Sequence, residues 1–243
     1  MPVSLIVSAV ALVIVIIITI RIYPLLLIIF SRLFFGKYSA KHLLLHKKYM
    51  GTSPYGYCIK DDFINHLAGF YKIPDDRKIF QTNKNIVFGT TKFGEKFSQI
   101  IMFNKKLFCL NAIRLPQFEL KVVGFRSEMF DFEMKTYYYF ANNRFFMGEY
   151  SFKLPDDEKI DEILSILQKK YLDSEKVSEM DFLIENKNQA IIFYEHNGFH
   201  LSIKYLTQED KKILSVLNDY WESNIRVNII KSGSFKSDLM SKL

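Results

Sequence analysis

The chain has 243 residues, 49% hydrophobic and 16% aromatic, with two cysteines and a formal net charge of +7. That charge excludes a nucleic-acid reading once it is located: six basic and no acidic side chains precede Gly51, leaving 27 basic against 26 acidic beyond it, so no bulk field remains to hold a phosphate backbone. Two cysteines, Cys58 and Cys109, are too few for a disulfide framework and are expected as two buried thiols.

The chain opens on Val3 to Ile20, VSLIVSAVALVIVIIITI, which carries no charge. About 18 apolar residues match the length needed to cross a hydrocarbon core, so the expectation is an N-terminal transmembrane helix. With no basic residue ahead of the run, a signal anchor fits better than a cleaved signal peptide. A second stretch, Tyr23 to Phe35, contains Pro24 and Arg32 and is short for an independent crossing. It is expected to continue the first helix, kinked or extended at Pro24, within an anchor spanning 1–36.

Residues 37–56 follow as a basic juxtamembrane helix and a turn-rich linker. Arg21, Arg32, Lys37, Lys41, Lys47 and Lys48 are the basic residues of this region, and all six are expected at the membrane surface. The positive-inside rule then gives a single-pass topology with the following domain in the cytoplasm. Leu43, Leu44 and Leu45 among these cations suit a short helix lying on an anionic leaflet or packed on the domain.

From 57 to 230 the pattern is that of an α+β domain, which the spacing allows to divide into subunits 57–172 and 178–226. A helix is expected over Ile59 to Phe70, with Asp61 and Asp62 in its first turn, where the helix dipole favours carboxylates. Next come runs rich in aromatic and β-branched residues: NIVFGT, FSQIIMF, LFCLNAI, FELKVVGF, TYYYFA and RFFMGEYSF. These read as strands of an antiparallel meander, with turns at Gly94, at Asn104 and Lys105, and at Asn142 and Asn143. Alternation in Thr136 to Ala141 puts Tyr137 and Tyr139 on one face and Tyr138 and Phe140 on the other, so one face is core and the other is either covered by a helix or a ligand surface.

Pro155 to Tyr171 has the 3.6-residue period of an amphipathic helix, with Asp156, Asp157 and Glu158 at its start. Asp181 to Glu185, Ala190 to Glu195 and Phe199 to Tyr205 read as further strands. A two-residue turn at Asn197 and Gly198 would set Tyr194 against Leu201 and Ile192 against Ile203. It would also aim His196 and His200 at opposite faces, which argues against a shared metal ion. Thr207 to Asp210 resembles a capping box opening a last helix with Ile213, Leu214, Leu217, Tyr220 and Trp221 as its stripe. The polar stretch 231–243 is expected as a flexible tail.

The fold class predicted is therefore α+β: an N-terminal transmembrane helix followed by an antiparallel meander sheet packed with amphipathic helices. No Gly-x-Gly-x-x-Gly, Walker, Cys-x-x-Cys, His-Glu-x-x-His or Gly-x-Ser-x-Gly motif occurs, and no cofactor or metal is expected. The function expected is a membrane-anchored binding or scaffolding module that recruits a protein partner at the cytoplasmic face, its partners being the lipid bilayer and a protein. Two alternatives stand beside it. One is a membrane-tethered enzyme, which would need two or more of Cys58, His66, Cys109, Asp131 and Glu133 to converge; the other is a lipid-contacting protein.

Overall fold

The computed structural model describes residues 3–59, 77–103, 107–129, 132–153, 156–173, 181–187, 190–196 and 199–209, with single positions at 177, 213, 215, 216, 219 and 222. The expected helix over Ile59 to Phe70 beyond its first residue, the turn at Asn104 and Lys105, Asn197 with Gly198, most of the last helix and the tail lie outside the described residues.

Helix α1 (Val3–Phe35) runs unbroken through Pro24. The side chains described in it are Leu12, Val15, Ile16 and those from Arg21 to Phe35. Among the described residues no helix is long and apolar enough to cross a membrane. That finding overturns the expected N-terminal transmembrane helix, and with it the signal-anchor, positive-inside and single-pass membrane assignments. The physical reason is in the described run itself: 21–35 contains Arg21, Pro24 and Arg32, and at 1.5 Å per residue it rises only about 22 Å against a hydrocarbon core of about 30 Å.

Helix α2 (Ala40–Met50) follows after a tight turn. Ser39 caps it by accepting from the His42 backbone N–H at 3.2 Å. Gly51, at φ 75°, closes it by donating its N–H to the Lys47 carbonyl, a left-handed position where glycine avoids the Cβ clash.

The further elements given in full among the described residues are β1 (Lys78–Thr82), α3 (Phe97–Phe103), β2 (Leu107–Arg114), β3 (Glu119–Met129), β4 (Phe132–Ala141), β5 (Arg144–Lys153), α4 (Asp157–Tyr171), β6 (Asp181–Asn186), β7 (Ala190–His196) and β8 (His200–Thr207). All the strands join one eight-stranded sheet in the order β1-β6-β7-β8-β5-β4-β3-β2. β1 pairs with β6 in parallel, whereas the other neighbours are antiparallel. The expected antiparallel meander packed with amphipathic helices is thus corrected to a mixed sheet with few helices.

Two segments read as strands and one that was not assigned explain the difference. The segment KIFQT forms a strand because Phe80 is buried edge-on against Phe182 at 5.7 Å between centroids, a contact made 102 residues away in the chain. The segment FSQIIMF is the helix α3, burying Phe97 and Ile100 at the i, i+3 spacing of one helical face. The segment NIVFGT contributes only an isolated bridge between Phe88 and Thr91, and sends Ile86 and Phe88 into the core.

The turn between β4 and β5 follows from its sequence. Asn142 and Asn143 both take positive φ, 46° and 63°, as a two-residue type I′ hairpin demands. Between β7 and β8 the observed pairing sets Tyr194 against Ile203 and Ile192 against Tyr205, two residues from the expected register. A shift of two keeps every side chain on its expected face.

The sheet register lays out two unlike faces. One row crosses the sheet as Leu110, Val123, Tyr138, Gly148, Tyr205, Ile192, Ile184 and Phe80, and α4 adds Ile163, Leu167 and Tyr171 to the core on this side. Gly148 leaves a gap in that row which the Phe88 ring fills, stacked on Tyr150 at 4.4 Å. A Cβ at Gly148 would stand 2.4 Å from that ring. The opposite face crosses as Cys109, Gly124, Tyr137, Glu149, Lys204, Phe193, Leu183 and Ile79.

Cys58 and Cys109 form a disulfide with Cα atoms 4.9 Å apart, correcting the expectation of two thiols. The sequence could not show that the chain at Gly56 bridges to Cys109, or that Cys58 and Ile59 donate their N–H groups to the Asn111 side-chain oxygen. A disulfide persists in oxidising surroundings, which runs against the cytoplasmic placement predicted from charge.

Candidate functional site

The site begins where α1 ends. Ser31 is buried and donates its hydroxyl to the Ile28 carbonyl at 2.8 Å. That commits its single proton, so His42 Nδ1, 2.9 Å away, donates to the Ser31 oxygen. Burial holds the His42 imidazole below its ordinary pKa, and the neighbouring His46 and Arg32 act in the same direction. A buried histidine therefore joins α2 to α1. The helix pair is joined to the sheet where the Ala40 backbone N–H donates to Glu119 Oε1 at 2.8 Å.

Away from this seam, α1 is bare. Ile22, Leu25, Leu26, Ile29, Phe30, Leu33, Phe34 and Phe35 are all exposed, Leu33 and Phe34 by about three quarters. An exposed apolar surface this continuous marks an interaction site. Arg21, Arg32, Lys37, Lys41, Lys47 and Lys48, the six residues expected at a membrane surface, are all exposed as well. Several lie over rings: Lys41 over Phe35 at 4.2 Å, Lys37 over Tyr38 at 4.8 Å and Lys47 over Tyr57 at 5.8 Å. The ammonium groups are held over the ring faces by the attraction of a cation to the ring quadrupole while the side chains stay exposed.

A second polar region lies on the Glu149 side of the sheet, around a recess of about 380 Å3 lined by Glu149, Asp181, Glu195, His196, His200, Ser202 and Lys204. Glu149 is buried, one oxygen accepting from the Tyr139 hydroxyl at 2.7 Å and the other from Ser202 at 3.0 Å. Burial and the Glu149 charge push Tyr137 up to about 12, and burial first and then Glu149 hold Tyr139 well above its ordinary value, so both phenols keep their protons. Burial works to raise the Glu195 carboxyl, but Lys204 and Arg77 hold it below the usual carboxylate range. His200 is hydrogen bonded to Ser151 at 2.8 Å, and burial lowers its pKa against the pull of Glu149. Tyr139, Glu149 and Ser202 form one committed set and Arg77, Glu195 and Lys204 another, and together they tie β4, β5, β7 and β8, whereas His196 Nε2 in the same recess is buried with no hydrogen-bond partner.

Of the five residues an enzyme reading would need, three are described. Cys58 and Cys109 are consumed in the disulfide. Glu133 is exposed beside Arg126 at 3.8 Å, and His66 and Asp131 lie outside the described residues. His196 and His200 occupy opposite faces of β7 and β8, set by the pairing of His196 with Leu201. Among the described residues no group of three or more His, Cys, Asp or Glu side chains could hold a metal ion.

Sequence reasoning missed Lys121, Arg144, Glu149 and Lys204. The signal was present in the strands, where a charged residue alternates with apolar ones in ELKVVGF and MGEYSF. Alternation alone would send these side chains to solvent, yet Lys121, Glu149 and Lys204 are buried.

No family model matches the chain, and no curated protein or solved structure was found to be similar to it.

Proposed function

We propose that the chain is a binding module that works against a lipid surface, the sheet serving as a rigid body that presents a protein partner there. The observation that carries this reading is the bare apolar side of α1 ending at a cluster of exposed cations. Apolar side chains gain by leaving water for acyl chains, and each nearby Lys or Arg adds about 1 kcal/mol against an anionic leaflet. Support for binding over catalysis comes from the Glu149 and Glu195 networks, whose members are spent on internal partners. Holding a domain at a surface raises its local concentration for partners there, with no new contact needed.

The test is flotation of the full chain with vesicles of phosphatidylcholine alone or mixed with phosphatidylserine. The wild type is expected to float with the mixed vesicles and to lose affinity as salt rises. Replacing Lys41, Lys47 and Lys48 together by Gln should weaken that binding by on the order of a hundredfold at low salt. Leu33→Ser with Phe34→Ser should weaken binding to both vesicle types. Binding unchanged in all variants, or no binding at all, would reject the reading.

A further inference from the structure

Between the end of α1 and the β4–β5 hairpin lies a recess of about 590 Å3 whose lining includes Lys37, Lys96, Lys121, Arg144, Asn143 and Ser98 and no carboxylate. We propose that it is a binding site for the phosphate of a phosphomonoester lipid headgroup. The inference rests on the lipid-surface reading above and names the ligand class within it.

Three observations carry it. The first is charge: four cations line one recess, and the nearest balancing carboxylate, Glu119, reaches Lys121 from outside the lining at 3.2 Å. Cations that line one recess repel one another, and an anion among them relieves the repulsion. A phosphodiester brings one negative charge, whereas a phosphomonoester brings close to two and three acceptor oxygens. The surplus of cations favours the latter.

The second is preorganisation. Lys121 is 6% exposed, held by the Asn143 side-chain oxygen at 2.8 Å and lying over the Phe97 ring at 5.0 Å. Arg144 donates to the Gly94 carbonyl at 3.0 Å, which leaves guanidinium N–H groups for a ligand. Asn142 and Asn143 are fixed by their positive-φ turn. Less side-chain entropy is then lost at Lys121 and Arg144 when an anion arrives.

The third is position. Phe35 and Gly36, at the end of the bare apolar run, form one wall of the recess. In a bilayer the phosphate layer adjoins the hydrocarbon, so acyl chains against α1 would bring the headgroup phosphate to this wall.

The experiment measures partition of the full chain onto phosphatidylcholine vesicles carrying either phosphatidic acid or phosphatidylserine at matched surface charge. The wild type should prefer phosphatidic acid by on the order of tenfold. Lys96→Gln with Arg144→Gln should weaken binding to both lipids but cost phosphatidic acid about tenfold more than phosphatidylserine, so that the preference is lost. The charge-conserving pair Lys96→Arg and Arg144→Lys should keep the preference, which separates a lost charge from a damaged hairpin. Lys47→Gln with Lys48→Gln, outside the recess, should weaken both bindings equally.

Equal binding to the two lipids, or a preference that survives the Gln pair, overturns the site and leaves the lipid-surface reading intact. No binding to either vesicle overturns both. Inorganic phosphate alone is the last arm: if it stabilises the wild type but not the Gln pair against heat, and phosphatidic acid shows no advantage, the recess is a soluble-phosphate site and the lipid assignment is wrong.

Discussion

At the residue scale, His42 and His200 couple folding to pH. Burial lowers both below the ordinary histidine value near 6.5, with His46 and Arg32 adding to the effect at His42. As pH falls through that ordinary value the unfolded chain takes up protons before the folded one, so stability declines until the lowered folded values are reached and then levels. Denaturant unfolding between about pH 7 and pH 5 should show this decline, and His42→Gln or His200→Gln should each remove part of the slope. A profile flat across that window would contradict it. Gly148 gives a second test. An alanine there would press its Cβ against Phe88, a ring buried among Tyr138, Phe145, Tyr150 and Tyr205. Overpacking of this kind costs about 1–3 kcal/mol, to be read as a lower unfolding midpoint with an unchanged denaturant slope.

The element that owes most to a single covalent link is the segment at Gly56 to Ile59, which lies along β2. Cys58 and Cys109 are 51 residues apart, and closing a loop of that length removes enough unfolded-state freedom to contribute about 2–4 kcal/mol. Reduction, or Cys58→Ser with Cys109→Ser, should lower stability by that amount. The unreduced protein, unfolded in denaturant, should show no titratable thiol; two thiols would refute the bridge. Gly124 belongs to the same element contact, since a Cβ there would meet Cys109 Sγ at 2.4 Å.

On the scale of the whole molecule, one sheet collects strands from both halves of the chain. Its middle strands, β5 and β8, are paired on both sides, whereas β1 is an edge strand held by β6 alone. Hydrogen exchange should therefore be slowest in Tyr150 to Phe152 and Leu201 to Ile203, and fastest among the strands in Lys78 to Thr82. Fast exchange through β5 with a protected β1 would mean that the strand order is different. The same rigidity makes the sheet a suitable body for α1 and α2 to hold at a surface, since α2 rests on it through Ala40 and Glu119.

What the sequence determined by itself was local. Two asparagines in succession favour positive φ and so placed the β4–β5 hairpin; the 3.6-residue period of Ile160, Ile163, Leu167 and Tyr171 marked α4; the uneven charge before Gly51 marked the basic arm. Each of these rests on neighbours within a few residues, whose sterics and dipoles act whatever the rest of the chain does. The tertiary structure decided what depends on distant partners. KIFQT became a strand because β6 offered an edge and Phe182 a ring. FSQIIMF became a helix because its buried residues lie on one helical face. Cys58 met Cys109 because Asn111 holds the intervening chain end, and Lys121 was drawn under the β4–β5 hairpin by Asn143 and Phe97. A lone apolar run or a single charge carries no record of such partners, because burial and pairing free energies belong to the pair and not to either residue.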